Sequence, residues 1–363
     1  MTSGFGRLNP IAETPAEFTP EWVTAALVQG GVRARVTGVE TEAVGIGQIG
    51  ACYRLHLRHD GGAPDKVIVK TAAGTQEQRT KVKSGYRTEV GFYTKLAHIA
   101  KIRRPHYWHA AISEDACAFT LLLEDAFPAK AGSQQEGCDL TQAKAALRNL
   151  AGLHAPFWDN QALAEDAGWV GNRGAAGVAM LTKIQAHGMA RFTEQYRDDL
   201  TQEEVDLLHG AATMTHQWLS DAQGPRALLH GDYRLDNLMF APDQVIAVDW
   251  QTLDAGLPTR DLAYFISTAL TPEVRRTHER ELVEAYHAQL MAYGVQDYTL
   301  EACQTDYRRG MLQAPLIVII GWSVATSERS AKSDEMFVSL ARRMCSALKE
   351  HDVLELLKYR EQK

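Results

Sequence analysis

The sequence predicts an α+β chain in two lobes: a small N-terminal lobe built on an antiparallel sheet with one key helix, and a larger, mainly helical C-terminal lobe. Three observations lead there. Segments with strand-like alternation crowd the first third of the chain. A polar, Gly- and Gln-containing stretch from Lys130 to Gly137 follows, and helical periodicity dominates beyond it. The 363 residues are also many for a single core. The boundary is expected near residues 124–130, giving lobes of 1–125 and 126–363.

A short helix is expected at Pro20–Gln29. Three strands follow, Ala34–Val44, Ala51–Arg58 and Lys66–Thr71. In the second, Tyr53, Leu55 and Leu57 alternate with Arg54, His56 and Arg58, the pattern of a strand with one wet face. Asp60-Gly61-Gly62 is a turn signal before the third strand. Helical spacing appears at Ser84–Ala97, with Val90, Tyr93, Leu96 and Ala97 on one side, and strands at His106–Ile112 and Cys117–Leu123 complete the lobe. In the helical lobe only Leu238–Phe240 and Val245–Val248 read as strands. The most apolar run, Ala314 to Ala325, contains Pro315 and Gly321 and is too short to span a bilayer, so a core helix is expected. Trp158, Trp169, Trp218, Trp250 and Trp322 are read as core residues, with an apolar substrate pocket as the alternative.

Composition narrows the function classes. The net charge of −7 disfavours a dedicated nucleic-acid binder. Five scattered cysteines with no Cys-x-x-Cys pair argue against a disulfide framework or a zinc site and fit a reducing compartment. The N-terminus lacks a basic region followed by an apolar run, so no signal peptide is read and a cytoplasmic location is expected. No membrane or nucleic-acid partner is expected, and the chain is read as a monomer or homodimer.

The chemistry concentrates in His230-Gly231-Asp232-Tyr233-Arg234-Leu235-Asp236-Asn237 and in Val248-Asp249-Trp250. An Asp, an Asn five positions on and a second Asp closing an apolar strand have the spacing of phosphoryl-transfer machinery. There the first Asp accepts a hydroxyl proton, and the Asn and second Asp hold magnesium on ATP. A carboxylate at the end of a buried strand also needs a cation or donors. Such a loop requires a lysine on a strand for the phosphates. Val67-Ile68-Val69-Lys70 supplies it, and Glu89 on the following helix is placed to pair with Lys70.

Gly45-x-Gly47-x-x-Gly50 matches the dinucleotide-binding pattern, which demands a helix starting at the glycines. An alternating strand follows instead, so the glycines read as a phosphate-covering flap between two strands. Arg234, two residues past Asp232, either faces the transferred phosphate or is a surface arginine paired with Asp236. The run Asp198, Asp199, Glu203, Glu204 and Asp206 suits a cationic acceptor and a solvated helix start equally.

Together GIGQIGACYRL, VIVK, Leu122-Leu123-Glu124-Asp125, LAGLHAPFW, HGDYRLDNLMF, VDWQ and Arg260-Asp261-Leu262-Ala263-Tyr264-Phe265 run in order from about residue 45 to 265. In these segments the chain resembles the aminoglycoside phosphotransferase/choline kinase-like superfamily, and within it the ecdysteroid-kinase-like branch. The resemblance implies a protein-kinase-like fold and an ATP- and magnesium-dependent small-molecule kinase, with ATP between the lobes. Adenine would meet backbone near Leu122–Ala126, placing Glu124 among the nucleotide contacts with Gly45, Gly47, Gly50, Lys70 and Glu89. It implies Asp232 as catalytic base, Arg234 beside it, and Asn237 and Asp249 as magnesium ligands. His230 would brace the loop, and Asp261 would tie down its backbone. Trp250-Gln251 replaces Phe-Gly after the metal Asp and there is little room for an activation loop, so a hydroxylated small molecule is expected as partner. A non-catalytic nucleotide-binding protein of the same fold is the alternative.

Overall fold

The computed structural model describes residues 9–46, 50–160, 170–171, 174–221, 223–324 and 330–358. The chain forms two compact units. The first comprises the described residues up to His98, Arg104–Phe127 and Asp249–Gln251; the second comprises Ile99–Arg103, Pro128–Val248 and the described residues from Thr252 on.

In the first unit, α1 (Pro20–Gln29) precedes β1 (Ala34–Ile46), β2 (Gly50–Gly61) and β3 (Lys66–Ala72). Then come α2 (Gln76–Gly91), β4 (Tyr107–Ile112) and β5 (Phe119–Glu124). The strands form one antiparallel sheet in the order β1-β2-β3-β5-β4. The alternation read in β2 sends Leu55 and Leu57 into a core with Phe18, Trp22, Leu27, Val67, Val69 and Leu122, while Arg58 is exposed. Each such burial contributes about 1.5–3 kcal/mol.

The helix expected at Ser84–Ala97 begins two turns earlier. The Thr75 hydroxyl accepts from the Gln78 N–H (3.3 Å) and the Gln78 side chain accepts from the Thr75 N–H (2.8 Å). This reciprocal cap starts α2 in polar sequence that carries no apolar stripe. The expected apolar side is buried at Val90, Tyr93, Leu96 and Ala97, and Phe92–Leu96 form a π-helical turn.

The second unit holds two small sheets and the helices. The strands β6 (Lys130–Ala131), β8 (Leu238–Ala241) and β9 (Gln244–Ala247) form one sheet, and β7 (Ala227–Leu229) pairs with β10 (Asp254–Gly256). The helices are α3 (Leu140–His154), α4 (Gly174–Gln195), α5 (Gln202–Ser220), α6 (Thr259–Ala269), α7 (Pro272–Ala292), α8 (Leu300–Gly310), α9 (Gln313–Val324), α10 (Ala331–Glu350) and α11 (Val353–Lys358). The apolar run becomes α9, whose Leu316, Val318, Ile319 and Trp322 enter a core with Met189, Phe192, Tyr196, Leu208, Tyr264 and Met344. Trp218, Trp250 and Trp322 are buried and Trp158 is half-buried, while Trp169 lies outside the described residues. Among the described residues no helix is long and apolar enough to cross a membrane, and the five cysteines are unpaired.

Candidate active site

In the first unit, β3 places Lys70 between Cys52 of β2 and Leu121 of β5. Its Nζ donates to Glu89 Oε1 (2.7 Å) and to Asp249 Oδ1 (3.1 Å), and Gln251 Nε2 donates to Glu89 Oε2 (3.1 Å). Glu89 is 1% exposed, so its charge needs these partners. Burial alone would lower the Lys70 pKa, but the Asp249 and Glu89 carboxylates outweigh it and raise the ammonium above its ordinary value. The Lys70 ammonium is therefore favoured beside an acid that is partly open to water.

Asp249 has φ +67, a left-handed backbone that costs a non-glycine residue about 1–3 kcal/mol. Its neighbours hold it there. The Trp250 ring stacks on Phe92 at 3.7 Å and 12° in the core, and Gln251 is tied to Glu89. The Trp250-Gln251 pair that departs from Phe-Gly thus anchors the acidic residue on the helix side of this unit.

The glycine segment joins β1 to β2 in antiparallel register, Ile46 opposite Ala51, and Gly50 opens a strand and not a helix. A Cβ at Gly50 would lie 2.9 Å from the Thr71 carbonyl, so the close strand favours glycine there. Gly45 sits at a register shift of β1, and Gly47 lies outside the described residues. The Glu124 N–H donates to the His106 carbonyl (2.8 Å) and its carboxylate accepts from the His106 N–H (2.9 Å), which fixes the end of β5.

In the second unit, β7 runs into the His230–Asn237 loop. Asp261, fully buried in the first turn of α6, accepts from the N–H groups of His230 (2.7 Å) and Gly231 (3.0 Å). The Thr252 hydroxyl donates to the His230 carbonyl (2.9 Å), Gln313 Nε2 donates to the Gly231 carbonyl (2.8 Å), and His230 Nε2 lies 3.1 Å from the Val248 carbonyl. Gly231 has φ +83, and a Cβ there would fall 2.1 Å from the Thr252 oxygen, so no other residue fits. His230 accordingly braces the loop. Downstream, Gln134 Oε1 accepts from the Leu235 N–H (3.0 Å) and the Gln134 N–H donates to Asp236 Oδ1 (3.0 Å).

This frame presents Asp232 and Asn237 together. Asn237 Nδ2 donates to the Asp232 carbonyl (2.9 Å) and to Asp232 Oδ2 (3.0 Å), which commits both amide hydrogens and leaves Oδ1 as the acceptor available to a cation. That oxygen is a hard donor of the kind magnesium takes, and in the first unit the Asp249 carboxylate, taken by itself, is another. Tyr264 Oη donates to Asp232 Oδ1 (2.9 Å). Arg234 lies between two carboxylates, with Nε 3.3 Å from Asp232 Oδ2 and Nη1 2.9 Å from Asp236 Oδ2.

Four contributors escaped the sequence reading: Gln134, Gln251, Gln313 and Tyr264. Two of them carry a sequence signal: Gln251 closes the quoted VDWQ, and Tyr264 lies in the quoted segment after Asp261, one helical turn from it.

The model of the family described as "Ecdysteroid kinase-like family" matches residues 49–296, well over half of the chain. The chain belongs to the ecdysteroid kinase-like family. Among solved structures, this ecdysteroid kinase-like chain is similar to a protein assigned as an aminoglycoside phosphotransferase from Ralstonia eutropha JMP134. The TM-score is 0.53 and the identity 17%, over 93% of this chain and 98% of that one. It is also similar to a choline kinase from Cryptosporidium parvum Iowa II, with TM-score 0.54 and 9% identity over 88% and 93% of the two chains. These likenesses establish the two-lobed protein-kinase-like fold. Over a short stretch the chain is 35% identical to acyl-CoA dehydrogenase family member 11 of Homo sapiens, 80 residues that make up 21% of this chain. The chain thus spans about a tenth of the length of that curated relative, 10% by the same alignment.

Proposed function

We propose that this chain is a cytoplasmic, ATP- and magnesium-dependent small-molecule kinase that transfers the γ-phosphoryl group to a substrate hydroxyl. The observation that carries the reading is Lys70 Nζ bridging Glu89 (2.7 Å) and Asp249 (3.1 Å), because it is the strand–helix ion pair that a phosphate-binding lysine needs. In this reading Lys70 contacts the α/β-phosphates, the Gly45–Gly50 segment covers them, and the backbone around Glu124 receives the base. Asn237 and Asp249 hold magnesium, which when bound neutralises charge on the phosphate oxygens. Asp232 orients the acceptor hydroxyl and takes its proton as the oxygen attacks phosphorus and the bond to ADP breaks. Arg234, whose Nε lies 3.3 Å from Asp232 Oδ2, lowers the charge of the transferred group.

An uncharged hydroxylated acceptor is the class best supported. A cationic one would need free carboxylates, and three of the five acids in the run of the helical unit are engaged elsewhere. Glu204 caps α5 through Thr201, Glu203 pairs with Lys349 (2.7 Å), and Asp206 accepts from Gln202 (2.8 Å). A coupled ADP-release screen over hydroxylated metabolites and antibiotics, with ATP and GTP, tests the proposal. Turnover on at least one alcohol is expected, reduced by orders of magnitude in Asp232→Asn. Binding of MgATP with no turnover across the panel would favour the non-catalytic alternative.

A further inference from the structure

The Asp232 carboxylate is held from two directions. Oδ2 accepts from Asn237 Nδ2 (3.0 Å) and lies 3.3 Å from Arg234 Nε, both within the same loop. Oδ1 accepts from the Tyr264 hydroxyl (2.9 Å), which comes from α6, 32 residues further along the chain. The torsion that turns an aspartate carboxylate is broad, so donors on one oxygen alone leave its plane loosely set. A donor on the other oxygen, carried by a rigid element, fixes it.

Tyr264 is such a donor. It is 2% exposed, and its ring packs in the core with Met189, Phe192, Tyr196 and Trp322. It follows Asp261 by three residues and so shares a helix face with it. Helix α6 therefore grips the loop twice, at the His230 and Gly231 N–H groups through Asp261 and at the carboxylate through Tyr264. Burial, with the Asp232 charge adding to it, pushes the phenol well above its ordinary pKa, so it remains an O–H donor.

We propose that Tyr264 is a positioning residue for phosphoryl transfer, its hydroxyl setting the plane of the Asp232 carboxylate so that the base meets the acceptor oxygen in line. This rests on the kinase reading above. The acceptor group need not be identified to test it, because water serves. In ATP hydrolysis the water oxygen attacks the γ-phosphorus, the bond to ADP breaks, and a water proton passes to Asp232.

Tyr264→Phe removes one oxygen and keeps the ring in the core. Hydrolysis by the variant is expected to lose kcat on the order of tenfold, the scale of one hydrogen bond to a charged group, with KM for MgATP unchanged. In an Asp232→Asn background the same substitution should cause no further loss. A kcat within twofold of the wild type, or losses that multiply in the double variant, would overturn the proposal. A readout independent of turnover is the Asp232 carboxyl 13C resonance in aspartate-labelled protein, assigned by its absence from Asp232→Asn. It should move in Tyr264→Phe, and an unmoved resonance also overturns the proposal. A displaced resonance in a chain that turns over neither water nor any alcohol of the panel would remove the kinase reading and leave the contact standing.

Discussion

Lys70 is a cation whose removal strands a buried anion. Lys70→Met keeps most of the unbranched side chain but leaves Glu89, 1% exposed, with Gln251 as a neutral donor in place of a charged partner. Breaking a buried pair in this way costs about 3–5 kcal/mol. Thermal melts should therefore show a lower Tm for Lys70→Met, and the deficit should depend on pH. Burial raises the Glu89 carboxyl pKa, so without Lys70 the folded state takes up a proton more readily than the unfolded state. Stability of the variant relative to wild type should recover as pH falls towards that raised pKa. A deficit that stays constant with pH would mean that Glu89 is already neutral beside Lys70. Lys70→Met/Glu89→Met should lose less than Lys70→Met alone, because the stranded charge is gone.

Between elements, α7 and α10 are joined by a charge network. Arg275 Nη2 donates to Glu350 Oε2 (2.6 Å), Arg276 Nε donates to Glu350 Oε1 (2.9 Å), and the Ser346 hydroxyl donates to the same oxygen (2.6 Å). Desolvation acts to raise the Glu350 pKa, but these donors outweigh it and hold the carboxyl at about 2, below its ordinary value of 4.5. A depressed carboxyl contributes stability that is present above the unfolded value and lost as pH falls through the folded one. Acid titration should therefore show a loss of stability between about pH 4.5 and 2 that is smaller in Glu350→Gln. Equal losses in both proteins would sink the assignment.

The same scale shows what the sequence made legible. The alternation in β2 and the apolar face at Val90, Tyr93 and Leu96 survive because each is a local pattern expressed by burial. The start of α2 was hidden by its polar first turns, although Thr75 and Gln78 carried a capping signature. Asp232, Asn237, Asp249 and Lys70 stand out as candidates because fixed short spacings and strand ends mark them, and Glu89 because it lies on the helix after the Lys70 strand. Gln134 and Gln313 were not. They reach Leu235 and Gly231 across 101 and 82 residues, and no local pattern encodes a contact made only when the chain folds.

Over the whole molecule, the two groups of site residues belong to different units. Lys70, Glu89 and Asp249 lie in the first, and Asp232 and Asn237 in the second. Nucleotide binding and chemistry should therefore respond differently to substitution. MgATP at a hundred times its Kd should stabilise the folded chain by about 2.7 kcal/mol, read as a rise of several degrees in Tm. If melting shows two transitions, the rise should appear in that of the first unit, where Lys70 sits. Asp232→Asn should keep the shift, because its carboxylate is assigned to the acceptor and not to the nucleotide. Lys70→Met should lose most of it. NAD should leave Tm unmoved, since Gly50 opens a strand and not the helix whose N-terminus a pyrophosphate would need. A shift with NAD and none with MgATP would reverse the reading of that glycine segment and with it the assignment of Lys70, while a shift with MgATP that vanishes in Asp232→Asn would move Asp232 from the acceptor side to the nucleotide side.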